Sequence, residues 1–397
     1  MQYKKICDIA ELINGYAFKS KNYVEKGIRI IRIANVQDGI IVDEQPCFYP
    51  ENNDEGIEKY FLKKGDLLIS LTGNVGRVGL LSESMLPAAL NQRVGCIRLK
   101  DANIYMKYLF LYLRRKEFTQ ECIKASKGVA QLNLSTKWIE NYKIPIPELV
   151  EQQRIVSKIE ELFSSLDNAV ETLNRTKEQL VVYRQSVLKE LFGKLNGDKT
   201  VLGEVIVSKP RNGYSPQGVT YVTPYKNLTL TATTKGFFQE DCFKYIDIDI
   251  DDDSYLWVKH NDILIQRANT VEYVGISAIY KGDDNKYVYP DLMMKFHIKN
   301  GIDPSFILYQ LKYSHAIGYY RKHATGTAGS MPKINQTTVM NTPIIMTSLD
   351  NQIRIVKELD SKYSLCDSIE EMVDKALVEA EALRQSILNA AFEGGLV

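Results

Sequence analysis

The chain is poor in the residues that usually announce an active site. Its four histidines (His260, His297, His315, His323) never fall in a metal-ligand spacing such as HExxH. The six cysteines (Cys7, Cys47, Cys96, Cys122, Cys242, Cys366) never form a CxxC pair. They read as reduced, mostly buried thiols of a cytoplasmic protein, not as a disulfide framework or a zinc site. There is no GxxxxGK[ST] loop, so the glycine-rich GNVGRVG at 73–79 is not a phosphate cradle. It reads as a turn between strands whose Asn74 and Arg77 could face a ligand. The [DNS]PP[YFW] tetrapeptide of amino-methyltransferases is missing too, YVTPYK at 221–226 being a distant look-alike. No apolar run approaches the length of a membrane span, and MQYKKICDIAEL lacks the apolar core of a signal peptide. The sequence thus gives no sign of a catalytic centre, a resident cofactor or a metal.

Charge is balanced in total and uneven in place. Fifty basic and 49 acidic residues leave a net charge of +1 over 397 residues. Residues 1–150 carry a net charge of +5, whereas 351–397 carry −4. Nucleic-acid binding needs a local basic face, which a neutral total can hide. The acidic run IDIDIDDDS (246–254) reads as a solvated edge or loop, with a cation site as the alternative.

What the sequence does contain is a copy of itself. Residues 151–195 and 351–395 align without a gap at an offset of 200, with twelve identities. Gln152/Gln352, Arg154/Arg354, Asp167/Asp367, Arg184/Arg384, Gln185/Gln385 and Phe192/Phe392 are among them. In the first copy, Ile155, Ile159, Leu162, Leu166, Ala169, Leu173, Thr176, Leu180, Tyr183 and Val187 recur at spacings of four and three. The second copy repeats the phase from Ile355 through Val373, Ala380, Leu383 and Ile387. That is the seam of a helix that pairs with another helix. A 45-residue helix is roughly 65 Å long, cannot bury its seam alone, and finds its nearest partner in the other copy. Thr176 and Lys362 are expected defects in that seam.

The segments before the helices echo each other more weakly. Asn14-Gly15-Tyr16 matches Asn212-Gly213-Tyr214, and GDLLIS (65–70) matches NDILIQ (261–266). Each of the latter is followed by a glycine, Gly79 or Gly275, and late in each segment comes a small-residue loop, SKGVAQ (126–131) or ATGTAGS (324–330). Runs such as IRIIRI (28–33), VGCIRL (94–99), VGISAIY (274–280) and MMKFHI (293–298) predict strands. Residues 106–118 and 304–322 predict helices. The expected fold is α+β: globular domains at 1–148 and 197–347 alternating with repeated helices at 149–196 and 348–397. The helices are expected to pair as an antiparallel coiled coil with an internal pseudo-twofold repeat.

These residues resemble a known family. IPIPELVEQQRIVSKIEELF (144–163), NGYAFKS (14–20) and GDLLISLTGNVGRVG (65–79) are similar to the specificity subunits of type I restriction–modification systems. The resemblance covers essentially the whole chain. The second half departs from it, with TPIIMTSLDNQIRIV (342–356) lacking the IPIP form and RANTVEYVG (267–275) replacing the TGNVGRVG loop. The resemblance implies a subunit without an active site, whose two target-recognition domains each read one half of a split, asymmetric DNA sequence. The paired helices would set their separation. Two modification subunits would bring S-adenosylmethionine to methylate adenine N6, and restriction subunits could join them.

Reading bases calls for Arg or Lys toward guanine and Asn or Gln toward adenine. The candidates in the first domain are Lys19, Thr72, Asn74, Arg77, Gln92, Arg93, Lys127 and Gln131. In the second they are Arg211, Asn212, Tyr214, Gln266, Arg267, Asn269, Lys322, His323, Thr325 and Lys333. Along the helices, Leu166, Leu173, Leu180, Val373 and Leu383 are interface candidates. So are the repeated polar residues Gln152, Arg154, Arg184, Gln185, Gln352, Arg354, Arg384 and Gln385. These could bond the helices together, dock modification subunits, or anchor each helix to its preceding domain. A stand-alone coiled-coil DNA-binding regulator, and an enzyme with an unrecognised site, are the rival readings.

Overall fold

The computed structural model describes residues 2–51, 56–128, 131–326 and 331–395. The two repeated segments form single helices, Leu149–Gly193 and Leu349–Phe392. Compactness follows neither the helices nor the linear segments. One unit comprises 1–173 with 375–397, and the other comprises 174–374. Each unit therefore holds one globular domain and a stretch of both long helices.

In the first unit a four-stranded antiparallel sheet has the order Ala10–Asn14, Val94–Leu99, Leu67–Ser70, Val78–Leu80. A second sheet of three short strands places Ile28–Ile31 between Phe48–Tyr49 and a parallel neighbour, Ala88–Leu90. Gln2–Lys5 pairs with Lys143–Ile146, so the start of the domain is tied to the strand that leads into the long helix. The second unit repeats this plan. Its four-stranded sheet runs Arg211–Asn212, Met293–Phe296, Ile263–Gln266, Ser277–Ile279. Its three-stranded sheet centres on Phe243–Ile246, and Asp198–Val201 pairs with Pro343–Met346. The apolar runs account for the central strands: Leu67, Leu68 and Ile69, like Ile263, Leu264 and Ile265, are wholly buried because both sheet faces are covered.

The expected helix at 106–118 is two, Met106–Leu113 and Lys116–Ala125, broken at Arg114–Arg115. Its counterpart runs from Pro304 to Ala316, breaks at Gly318 in the left-handed region (φ 79°), and resumes at Tyr319–His323. Asp303 caps the former, accepting from the amides of Ser305 and Phe306 at 2.7 and 3.2 Å, with Pro304 in the first turn.

Each long helix ends in a core that the other helix helps to build. Phe392 lies edge-on to Tyr108 and Tyr112, with ring centres 5.3 and 5.1 Å apart, in the core that also holds Ile155 and Ile159. Phe192 sits 5.9 Å from both Phe306 and Tyr313, in the core that holds Ile355 and Leu359. Within the second unit Lys177 meets Asp374 at 2.6 Å, and Arg184 meets Asp367 and Glu370 at 2.6 and 2.9 Å. Higher numbers on one helix thus face lower numbers on the other, and the pairing is antiparallel. Within the first unit Arg384 bonds Asp167, the same two repeat positions with the helices exchanged.

The seam departs from the expected one where Ala169, Tyr183 and Leu383 are exposed. Leu166, Leu180, Val373, Ala380 and Ile387 are buried and Leu173 half-buried, as the phase requires. In the first copy Phe163, Val170 and Arg184 turn inward in place of Ala169 and Tyr183, while the expected Leu162 and Thr176 are half-buried. Leu383 lies off the seam with about half its surface exposed, because Arg384 takes the inward place. Heptads alternate steps of three and four, and two adjacent candidates satisfy the sequence pattern equally well. Facing carboxylates on the partner helix draw the arginines in.

The conserved repeat glutamines turn out to be anchors. Gln152 is buried, accepts from the Tyr105 amide (2.8 Å) and donates to the carbonyls of Asn103 (3.0 Å) and Pro147 (2.9 Å). Gln352 accepts from the Asp303 amide (2.9 Å) and donates to the Thr347 carbonyl (2.8 Å). Arg154 and Arg354 are exposed and, among the described residues, bond within their own helix, to Glu151 and Asn351.

Candidate nucleic-acid interface

In the first unit the loop after strand Leu67–Ser70 is stitched to two others by backbone bonds. The Leu71 amide donates to the Arg93 carbonyl (3.0 Å), and the Leu134 amide to the Leu71 carbonyl (2.8 Å). Gly73 donates to Leu132 (2.8 Å), and Lys127 and Asn133 exchange bonds at 3.0 and 2.9 Å. The Gln92 amide donates to the Tyr16 carbonyl at 2.9 Å, which ties in the Asn-Gly-Tyr segment. Gly15 is required there, since a Cβ at that position would lie 2.1 Å from the Asn91 carbonyl oxygen. The same holds for Gly213, where the Tyr289 oxygen would be 1.9 Å away.

This stitching brings Thr72, Asn74, Gln92, Arg93, Lys127 and Gln131 onto neighbouring loops. All but Thr72 are exposed, and their side chains make no hydrogen bond among the described residues. The loops 71–77, 91–93, 126–128 and 131–134 contain no Asp or Glu, so Arg93 and Lys127 stand without local neutralisation. Thr72 is buried and donates to Asn133 Oδ1 at 3.0 Å, so it shapes the loop pair. Asn133, absent from the sequence-derived candidates, is the residue that joins them; its side chain also donates to the Gln131 carbonyl (3.1 Å). Nothing in its local sequence signals this. Arg77 is half-buried and donates to Gln37 Oε1 at 2.6 Å, a partner 40 residues away. Lys19 is exposed on the short turn beginning at Ser20 and is not bonded to the stitched loops. Val129 and Ala130 of the small-residue loop, and 327–330 of its counterpart, lie outside the described residues.

The second unit builds the same surface with different chemistry. The Arg267 amide donates to the Leu292 carbonyl (2.8 Å), the Ile334 amide to the Arg267 carbonyl (2.9 Å), and Thr325 and Lys333 exchange bonds at 2.8 and 2.9 Å. Arg267, Asn269, Thr325 and Lys333 are thereby gathered. Gln266 is completely buried, and its amide donates to the Leu230 carbonyl and to the hydroxyls of Thr233 and Thr234 at 2.9–3.1 Å. A side chain so enclosed cannot touch DNA. Its Oε1 instead receives the Asn269 amide at 2.6 Å, so Gln266 holds Asn269 in place. Tyr214 is exposed, while Asn212 is half-buried in the edge strand. Arg211 stacks on Tyr255, 3.3 Å from the ring centre. Lys322 and His323 are exposed on the helix that leads to Thr325, the His323 ring bonding the Tyr319 carbonyl.

The counterpart of Gly275 is Gly76, not the expected Gly79. Gly76 donates to the Ser70 carbonyl (3.0 Å) as Gly275 does to the Gln266 carbonyl (2.8 Å), and both have positive φ (81° and 86°). Each abuts the following helix pair, Gly76 at Cys122 and Gly275 at Tyr320. The second loop is therefore longer, and Arg77 has Ile276 as its counterpart, which counting from the strand ends concealed.

Among the described residues no cluster of His, Cys, Asp and Glu could hold a metal, and no helix is long and apolar enough to cross a membrane. Two related domains, each presenting polar loops from a small sheet and each built onto both members of an antiparallel helix pair, define a duplicated recognition protein. Residues 1–180 match the family described as the type I restriction modification DNA specificity domain. The chain is 23% identical to the StySPI specificity subunit of Salmonella potsdam, over 98% of this chain and 88% of that protein. It is 22% identical to the EcoKI specificity subunit of Escherichia coli K12 over the same shares. The MjaVIII specificity subunit of Methanocaldococcus jannaschii is 30% identical over 48% of this chain and 45% of that protein. A chain from a type I restriction–modification complex has the same fold (TM-score 0.72, 18% identity, covering 100% of this chain and 98% of that one). The HsdS subunit of Thermoanaerobacter tengcongensis does also (TM-score 0.53, 18% identity, 100% and 97% covered). The chain belongs to the family of type I restriction–modification specificity subunits.

Proposed function

We propose that each unit reads one half of a split DNA site through its stitched loops. The observation that carries this is the recurrence of one loop platform bearing different side chains. Asn74, Gln92, Arg93, Lys127 and Gln131 lie on one copy, and Arg267, Asn269, Thr325 and Lys333 on the other. Different readers on the two copies mean an asymmetric target. Arginine and lysine suit guanine O6 and N7, and asparagine and glutamine suit adenine N6 and N7. Phosphate contacts, from Lys19, Lys322 and the amides of the loops, would outnumber these and fix the register.

The chain itself is non-catalytic in this reading. Two modification subunits hold S-adenosylmethionine and transfer its methyl group to adenine N6 after the base leaves the stack, and restriction subunits complete the nuclease. Family membership supports this division of labour over a stand-alone regulator. Co-expression with its modification subunit and genome-wide mapping of methylated adenine provides the test. Methylation in one asymmetric two-part motif is expected. A soluble, co-purifying complex that modifies no such motif overturns the reading.

A further inference from the structure

Each unit has a groove where a half-buried cation lies beside the helix pair, and the two grooves differ in charge. In the first unit the cation is Arg114, whose guanidinium lies 5.8 Å from the Phe163 ring centre and 3.9 Å from Asp38. In the second it is Lys312, whose ammonium lies 5.1 Å from the Tyr309 ring centre and 5.5 Å from that of Tyr363, the repeat counterpart of Phe163. A positive-φ glycine closes over each, Gly39 against the Arg114 guanidinium and Gly236 against Lys312 Cε.

The surroundings then diverge. Before Gly39 stands Asp38, and before Gly236 stands Lys235. Glu381 at the first groove has Val181 as its repeat counterpart at the second. Two carboxylates in one unit thus become lysine and valine in the other, where His315 also lines the cleft. Lys312 makes no hydrogen bond or salt bridge among the described residues, Arg184 is already engaged by Asp367 and Glu370, and Asp360 receives the Tyr309 hydroxyl. Lys312 lines a cleft of about 310 Å³ together with Lys235, His315, Val181, Leu188 and Tyr363. Burial pushes the Lys312 ammonium down to about 8, against a partial opposing pull from Asp360 and Asp367. A charge left in that condition is costly unless something outside neutralises it.

We propose that this cleft is a binding site for a carboxylate carried on an apolar body, the acid seated between Lys312 and Lys235 and the body against Val181, Leu188 and Tyr363. The ligand supplies from outside what Asp38 and Glu381 supply internally in the first unit. The proposal is independent of which bases the loops read.

Titration of the full chain at pH 7 with 4-phenylbutyrate, against its neutral amide, tests this. Saturable binding of the acid alone is expected. Lys312→Met should weaken it roughly tenfold or more, as loss of one member of a buried charge pair does. Val181→Glu, which restores the first unit's internal acid without touching Lys312, should also abolish it. Acid binding no better than amide binding, or binding unchanged by both variants, overturns the proposal. Titration of the complex with its modification subunit identifies the source. A blocked cleft assigns the carboxylate to a partner's side chain, and an open one assigns it to a small free acid.

Discussion

The two units share a plan and solve the same local problems with different residues. Each has a buried aspartate at the start of its central strand, accepting from an amide three residues back at 2.8 Å: Asp66 from Lys63 and Asp262 from Lys259. In the first unit Arg98 neutralises it with a bidentate bond. In the second, Lys295 does so at 2.8 Å, with the His297 ring hydrogen-bonded to the same carboxylate at 3.0 Å. At the helix-pair groove the first unit sets Asp38 and Glu381 beside its cation, where the second has Lys235 and Val181. The scaffold positions are retained while the charges at them are exchanged, so duplication fixed geometry more tightly than chemistry.

The comparison breaks most severely at the helix ends. Phe392→Ala should destabilise the first unit by about 3–5 kcal/mol, and Phe192→Ala the second by a similar amount, because each removes a buried ring from a core. Denaturant unfolding followed separately in the two units checks this. Equal small losses would show that the helix termini are peripheral to the cores.

Lys312 sharpens it next. Its folded-state pKa of about 8 lies below the ordinary 10.5. Below pH 8 both states are charged and the folded state bears the whole desolvation cost. As pH rises through 8 toward 10.5 the folded state loses its proton first and the cost fades. Lys312→Met should therefore stabilise the free chain at pH 7 by as much as about 3 kcal/mol, with the gain vanishing by about pH 10.5. Arg114→Met should give no such pH-dependent gain, because a guanidinium, although burial lowers it too against the pull of Asp38, stays charged across this range. Stability curves against pH for the two variants decide the matter.

At the loops, Arg93→Ala in the assembled complex should weaken DNA binding by roughly 1–3 kcal/mol if it makes a bidentate guanine contact, with discrimination lost in one half-site only. Arg77→Ala should cost less, because its guanidinium is already committed to Gln37. Equal effects would mean that the Arg77–Gln37 bond opens on DNA. The smallest effect is expected at the exchanged ion pairs. Double-mutant cycles for Arg184 with Asp367 and for Arg384 with Asp167 should each give about 1 kcal/mol or less, since the aspartates are solvent-exposed.

The sequence by itself determined the duplication, the helical character of both repeats, the two related domains and the identity of the family. Ungapped identity and period are local properties, and Gln152, Phe192 and their counterparts carry them visibly. The loop residues Gln92, Arg93, Lys127 and Gln131 were legible as polar loops. Their neighbourhood was not, because Asn133 and the backbone bonds that join the loops connect residues between 22 and 76 positions apart. Counting matched Gly275 to Gly79 until the carbonyl each glycine bonds showed Gly76 to be the counterpart. Gln266 looked like a base reader, and only its burial made it a support. Tertiary structure alone decided the inward turn of Arg184 and Arg384 and the isolation of Lys312, since each depends on which charges the fold brings alongside, and a heptad pattern does not record charge at a distance.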